Sequence, residues 1–168
     1  SVVVGPPVLA VLALFAAGQR AGAGRNVDRV AIACPPTQVF RQFEDDQLLK
    51  GWTGVVEARR LTEGPLRRGS RWRLVSEARG QRTTIDGEVT ALEPGRLIAL
   101  ALKTSPGAAV GFSQLAEYRF EERSGETRLT VTTDTRYEGA VTQLLEPLIT
   151  RAVQGQLELN LARLRAQA

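Results

Sequence analysis

Few side chains in this 168-residue chain could do chemistry, and their types narrow what that chemistry is. There is no histidine and a single cysteine, Cys34. Ser–His and Cys–His nucleophiles are therefore excluded, zinc lacks its usual ligands, and no intramolecular disulfide can form. Acid–base work would fall to other groups. Tyr118 and Tyr137 are the only phenols and could protonate a carbonyl; the competing role is a buried hydroxyl that donates one hydrogen bond. Asp86 and Glu88 stand two apart, but their phase is opposite to Ile85, Gly87 and Val89, which turns both to solvent. No catalytic residue, metal ligand or cofactor is assigned.

The same alternation sorts the arginines. Arg67, Arg68, Arg71, Arg73, Arg79 and Arg82 crowd one hairpin region, with Arg71 and Arg73 facing away from Trp72. A solvated face is the ordinary outcome, and contact with an anionic membrane surface is the sharper alternative. Nucleic acid is not an expected partner. The net charge is only +4, and no aromatics are interleaved on the basic face. Cys34 ends an apolar strand and reads as a small core residue.

Elements must hold these residues in place. From 140 to 168, Val141, Leu144, Leu145, Leu148, Ile149, Ala152, Val153, Leu157, Leu161 and Leu164 recur at steps of three and four. That spacing predicts one long helix with a single apolar stripe, which needs a broad surface to lie on. Pro147 falls early enough to kink it without ending it. Gly155 costs about 1 kcal/mol relative to Ala in mid-helix, which suggests close packing or room for a ligand beneath.

The surface comes from strands. Val27–Cys34 alternates, and Pro35-Pro36 stops it and opens a short helix with Val39, Phe40 and Phe43 buried. Asp45 or Asp46 caps a second short helix through Leu48, Leu49 and Trp52. Strands are then expected at 55–61, 70–78, 83–93, 97–104, 112–122 and 127–137, joined by Gly- and Pro-bearing turns. These favour an antiparallel meander. Phe112, Gln114, Ala116, Tyr118 and Phe120 share one face, as do Leu129, Val131, Thr133, Thr135 and Tyr137, so one side of the sheet is covered.

Residues 1–26 differ in composition. Val8–Ala17 is an unbroken apolar run, shorter than a membrane span, and Ala21-Gly22-Ala23 has the small-x-small pattern of a cleavage site. The readings are a signal segment, a membrane anchor or an extra packed helix. Gly18–Asn26 reads as a linker, and 27–168 as one domain. Export or membrane association follows from the first two readings, a cytoplasmic location from the third. Oligomeric state is not legible.

In this order, several stretches look familiar. They are IACPPTQVFRQFEDDQLLKGW, EARRLTEGPLRRGSRWRL, GEVTALEPGRLIAL, YRFEERSGETRLTV and the final helix. Together they resemble the START-like helix-grip superfamily, in its polyketide cyclase/dehydrase and lipid-transport branch. The most specific marks are the Pro-Pro-x-x-Val-Phe helix entry, the step from the aspartates to Trp52, and the hairpin Gly125-Glu126-Thr127-Arg128-Leu129-Thr130. The resemblance implies an α+β fold, a curved antiparallel sheet wrapped around the long C-terminal helix, with two short helices after the first strand. It also implies an apolar cavity between sheet and helix, which would take a lipid, polyketide or quinone.

On that arrangement the expected ligand-binding residues are Trp72, Leu74, Ser76, Ile85, Leu100, Phe112, Gln114, Tyr118 and Thr133 from the sheet. Leu148, Ala152 and Gly155 join them from the helix. A few hydroxyls and one amide in an apolar wall suit a moderately polar, lipid-like molecule. If the wall is simply core, Gln114 and Thr133 should satisfy each other or take water. For Trp52, ordinary packing at the helix–sheet junction is the favoured role. Binding of a hydrophobic small molecule leads as function. Two alternatives stay open, an aromatase/cyclase-type enzyme and a co-chaperone or protein-interaction module.

Overall fold

The computed structural model describes residues 24–78, 80–108, 111–138 and 159–168. The N-terminal apolar run and the stretch 140–158 of the expected C-terminal helix lie outside the described residues. In chain order the elements are β1 (Gly24–Ile32), α1 (Pro36–Glu44), α2 (Asp46–Thr53), β2 (Glu57–Arg60), β3 (Arg71–Ala78), β4 (Gln81–Glu93), β5 (Leu97–Thr104), β6 (Gly111–Arg123) and β7 (Glu126–Glu138). A C-terminal helix, α3, covers 159–167. Strand β1 starts at Gly24, so residues 24–26, expected in the linker, are strand paired to Thr133–Thr135 of β7.

All seven strands form one antiparallel sheet in the order β1-β7-β6-β5-β4-β3-β2. The two edges are joined in sequence through α1 and α2. Helix α1 packs on β6 and β7 and α2 packs on β2, so the two short helices lie over the covered, concave side of a curved sheet. The fold is a helix-grip α+β domain.

Local chemistry explains the entries and exits. Pro36 occupies the first turn of α1, where its missing N–H costs nothing. Asp45 caps α2 by accepting from the Gln47 and Leu48 amides at 2.8 and 3.0 Å. Gly54 ends α2 at φ 73, its N–H donating to the Lys50 carbonyl. Ser124 and Gly125, both at positive φ, make the two-residue turn between β6 and β7. Between Val89 and Ala91 the β4–β5 register shifts, so Thr90 is an extra residue that restores the apolar phase at Leu92 opposite Ile98. Among the described residues no helix is long and apolar enough to cross a membrane.

Candidate functional site

Because side chains alternate across each strand, the register turns the covered face into transverse rows. One row runs Leu92–Ile98–Tyr118–Val131–Asp28, and the next Val89–Leu100–Ala116–Thr133. A third runs Arg60–Trp72–Gly87–Leu102–Gln114–Thr135. Beyond it lie Leu74–Ile85–Thr104 and Phe112–Tyr137, then Ser76–Thr83.

The rows change character along the strands. At one end Phe43 of α1 meets Trp52, Tyr118 and Phe120 edge to face, with ring centroids 5.1, 4.9 and 5.7 Å apart. The indole of Trp52 donates to the Gln42 carbonyl, which identifies it as junction packing. Leu164 of α3 is fully buried in the same cluster, and Gln167 donates to Gln42 Oε1 and the Leu48 carbonyl. This end is closed by the three helices, and the Trp52 and Gln167 donors are paired.

The other end is apolar but dotted with buried polar groups: Ser76, Thr83, Thr104, Gln114, Thr133 and Thr135. Thr104 accepts from the Phe112 amide at 3.0 Å. The Gln114 amide nitrogen donates to Thr135 Oγ1, which leaves its carbonyl oxygen buried without a partner. The hydroxyl of Ser76, fully buried, has none either. Thr135, and not Thr133, is the partner of the Gln114 amide nitrogen. The register sets Gln114 opposite Thr135 and Thr133 opposite Ala116.

All nine expected sheet residues, Trp72, Leu74, Ser76, Ile85, Leu100, Phe112, Gln114, Tyr118 and Thr133, are buried, and their register puts them on the covered face. Leu148, Ala152 and Gly155 lie outside the described residues. Trp72 sits near α2, where its indole N–H reaches Asp46 Oδ1 at 3.3 Å, while Asp46 Oδ2 accepts from the Arg60 amide at 2.8 Å. Two covered polar residues were not foreseen. Asp28 is in phase with Val30 and Ile32, and Asn160 follows the Leu157–Leu161–Leu164 stripe at helical spacing and is buried. In both cases the periodicity carried the signal.

Burial keeps Tyr118 and Cys34 from acting as anions. Burial pushes the Tyr118 phenol well above its usual range and raises the Cys34 thiol too, so both stay neutral. Among the described residues no group of potential metal ligands gathers.

The outer face is as expected for Asp86, Glu88, Arg71 and Arg73. Arg73 pairs with Asp86 at 2.8 Å, which raises its pKa, and Arg82 pairs with Glu77 at 2.9 Å. An open groove of about 480 Å³ crosses this face, lined among others by Arg71, Asp86, Lys103, Leu115, Asp134 and Arg136. Side chains of both charge signs line it, together with Ala101, Leu102 and Leu115.

The sequence that builds this seven-stranded antiparallel grip matches a known family profile, described as polyketide cyclase / dehydrase and lipid transport, across residues 25–168. The chain belongs to this family. Its fold type is that of hydrophobic-ligand-binding and cyclase/dehydrase-type domains. Solved structures agree on the fold. A protein from Mycobacterium smegmatis is similar with a TM-score of 0.66 at 17% identity, covering 89% of this chain and 93% of its own. One from Thermus thermophilus gives 0.62 at 19%, covering 86% and 96%. One from Chromobacterium violaceum gives 0.62 at 18%, covering 84% and 94%. No curated protein matches the chain.

Proposed function

We propose that this polyketide cyclase-like protein binds and carries an apolar small molecule against the hydroxyl- and amide-bearing end of the covered sheet face. One observation carries the reading. Ser76 Oγ and the Gln114 carbonyl oxygen are buried in an apolar wall without partners, whereas buried polar atoms in native interiors are nearly always satisfied. A bound molecule supplies the missing hydrogen bonds. Native mass spectrometry of the full chain purified without detergent should retain a small-molecule adduct, and delipidated protein should take up an apolar fluorophore saturably. Absence of both defeats the reading.

A cyclase-type enzyme has one observation in its favour. Asp28 and Tyr118 fall in one transverse row, separated only by Val131. A carboxylate that accepts a proton beside a neutral phenol that donates one would suit enolisation and dehydration of a polyketone. Asp28→Asn, which removes the base but keeps the shape, should then abolish turnover and leave binding intact. Binding without turnover of any polyketone supports the carrier reading.

A further inference from the structure

The two partnerless atoms also constrain what the ligand is, given the binding reading above. Gln114 is 3% exposed; one of its two amide N–H groups is spent on Thr135, and the polar atom left without a partner is its carbonyl oxygen, a lone-pair acceptor. Ser76, 0% exposed, presents a hydroxyl that can accept or donate. No lysine or arginine is buried among the described residues, and the basic residue in phase with this face, Arg60, is half-buried on the edge strand β2. An anionic headgroup brought to the Gln114 carbonyl oxygen would meet an acceptor instead of a donor. It would also lose its hydration with no buried cation among the described residues in compensation. A neutral hydroxyl has the opposite fate, since its proton satisfies the Gln114 oxygen and its carbon skeleton covers Leu102, Ile85 and Phe112.

We infer that the ligand is a neutral apolar molecule that donates a hydrogen bond, an alcohol or phenol, and is not a fatty-acid anion or a phosphate amphiphile. Three shape-related probes test this on the full chain at neutral pH: octylphenol, octylanisole and octylbenzoate, each displacing an apolar fluorophore. Octylphenol should bind about tenfold tighter than octylanisole, the size of one good hydrogen bond, with octylbenzoate weakest. Gln114→Leu should bring the phenol-to-anisole ratio close to one. Gln114→Met serves where the leucine variant does not fold, and if neither folds the wild-type order decides. Octylbenzoate binding as tightly as octylphenol overturns the inference. So does a ratio unchanged by the Gln114 variants. An amide turned the other way would present its N–H₂ and favour octylanisole and octylbenzoate, which also overturns it. If none of the three binds wild-type protein, the binding reading itself falls, and that failure is distinct from a wrong order among probes that bind.

Discussion

The two ends of the covered sheet face are equally buried and differ in what the burial achieves. Around Phe43, Trp52, Tyr118 and Phe120, rings meet edge to face, the Trp52 N–H is satisfied, and α1, α2 and α3 close the cluster. Around Ser76, Thr83, Gln114 and Thr135 the residues are no more exposed, yet two polar atoms have no partner. Low exposure alone does not separate a core from a binding wall. Polar satisfaction does, because desolvating a hydroxyl or an amide is costly unless something replaces the water.

Breaking that contrast gives effects of graded size. Phe43→Ala removes the ring shared by three aromatic partners and should destabilise by about 3–5 kcal/mol, enough to lower the midpoint of urea unfolding sharply. A midpoint near wild type would mean the aromatic end is not the structural half. Asp46→Ala deletes the acceptor of both the Trp72 indole and the Arg60 amide, at a cost of about 1–2 kcal/mol in the same assay.

Alkaline pH acts on the same end. The folded Tyr118 phenol is held neutral above its unfolded value of about 10. Its contribution is fully present below about pH 10 and is lost as pH rises above that towards the folded value, because the unfolded chain ionises first. Tyr118→Phe should flatten the loss of stability above pH 10. An equally steep loss in that variant would place its cause elsewhere.

The smallest expected effect sharpens the comparison most. Ser76→Ala removes a buried hydroxyl that has no partner, so its stability should be unchanged or raised by about 1 kcal/mol, despite complete burial. Loss of more than that in the ligand-free protein would show that Ser76 belongs to a satisfied core. The Cys34 thiol, buried at the β1 exit with a raised pKa, should react with iodoacetamide far more slowly in folded than in urea-unfolded protein. Equal rates would place it at the surface.

Much of this was legible in the chain. Absence of histidine and presence of one cysteine set aside whole classes of chemistry before any geometry, since no fold can supply a missing side chain. Period-two alternation put Phe112, Gln114, Ala116, Tyr118 and Phe120 on one face, and Asp86, Glu88, Arg71 and Arg73 on the other. Alternation follows from strand stereochemistry, which is local. The Pro35-Pro36 entry, the aspartate cap and the Ser124-Gly125 turn are local for the same reason.

Pairing across strands is not local, and the tertiary structure alone decided it. Gln114 faces Thr135 instead of Thr133, and the Trp72 indole is spent on Asp46 from a helix 26 residues earlier. The extra residue at Thr90 shifts the β4–β5 register, and Asp28 reaches the row of Tyr118 only because β1 pairs with β7, about 100 residues later in the chain. A one-residue slip in any of these ladders would keep every pattern visible in the sequence and change which polar atoms meet. Which atoms are left without partners, and hence what a ligand must offer, is therefore a property of register.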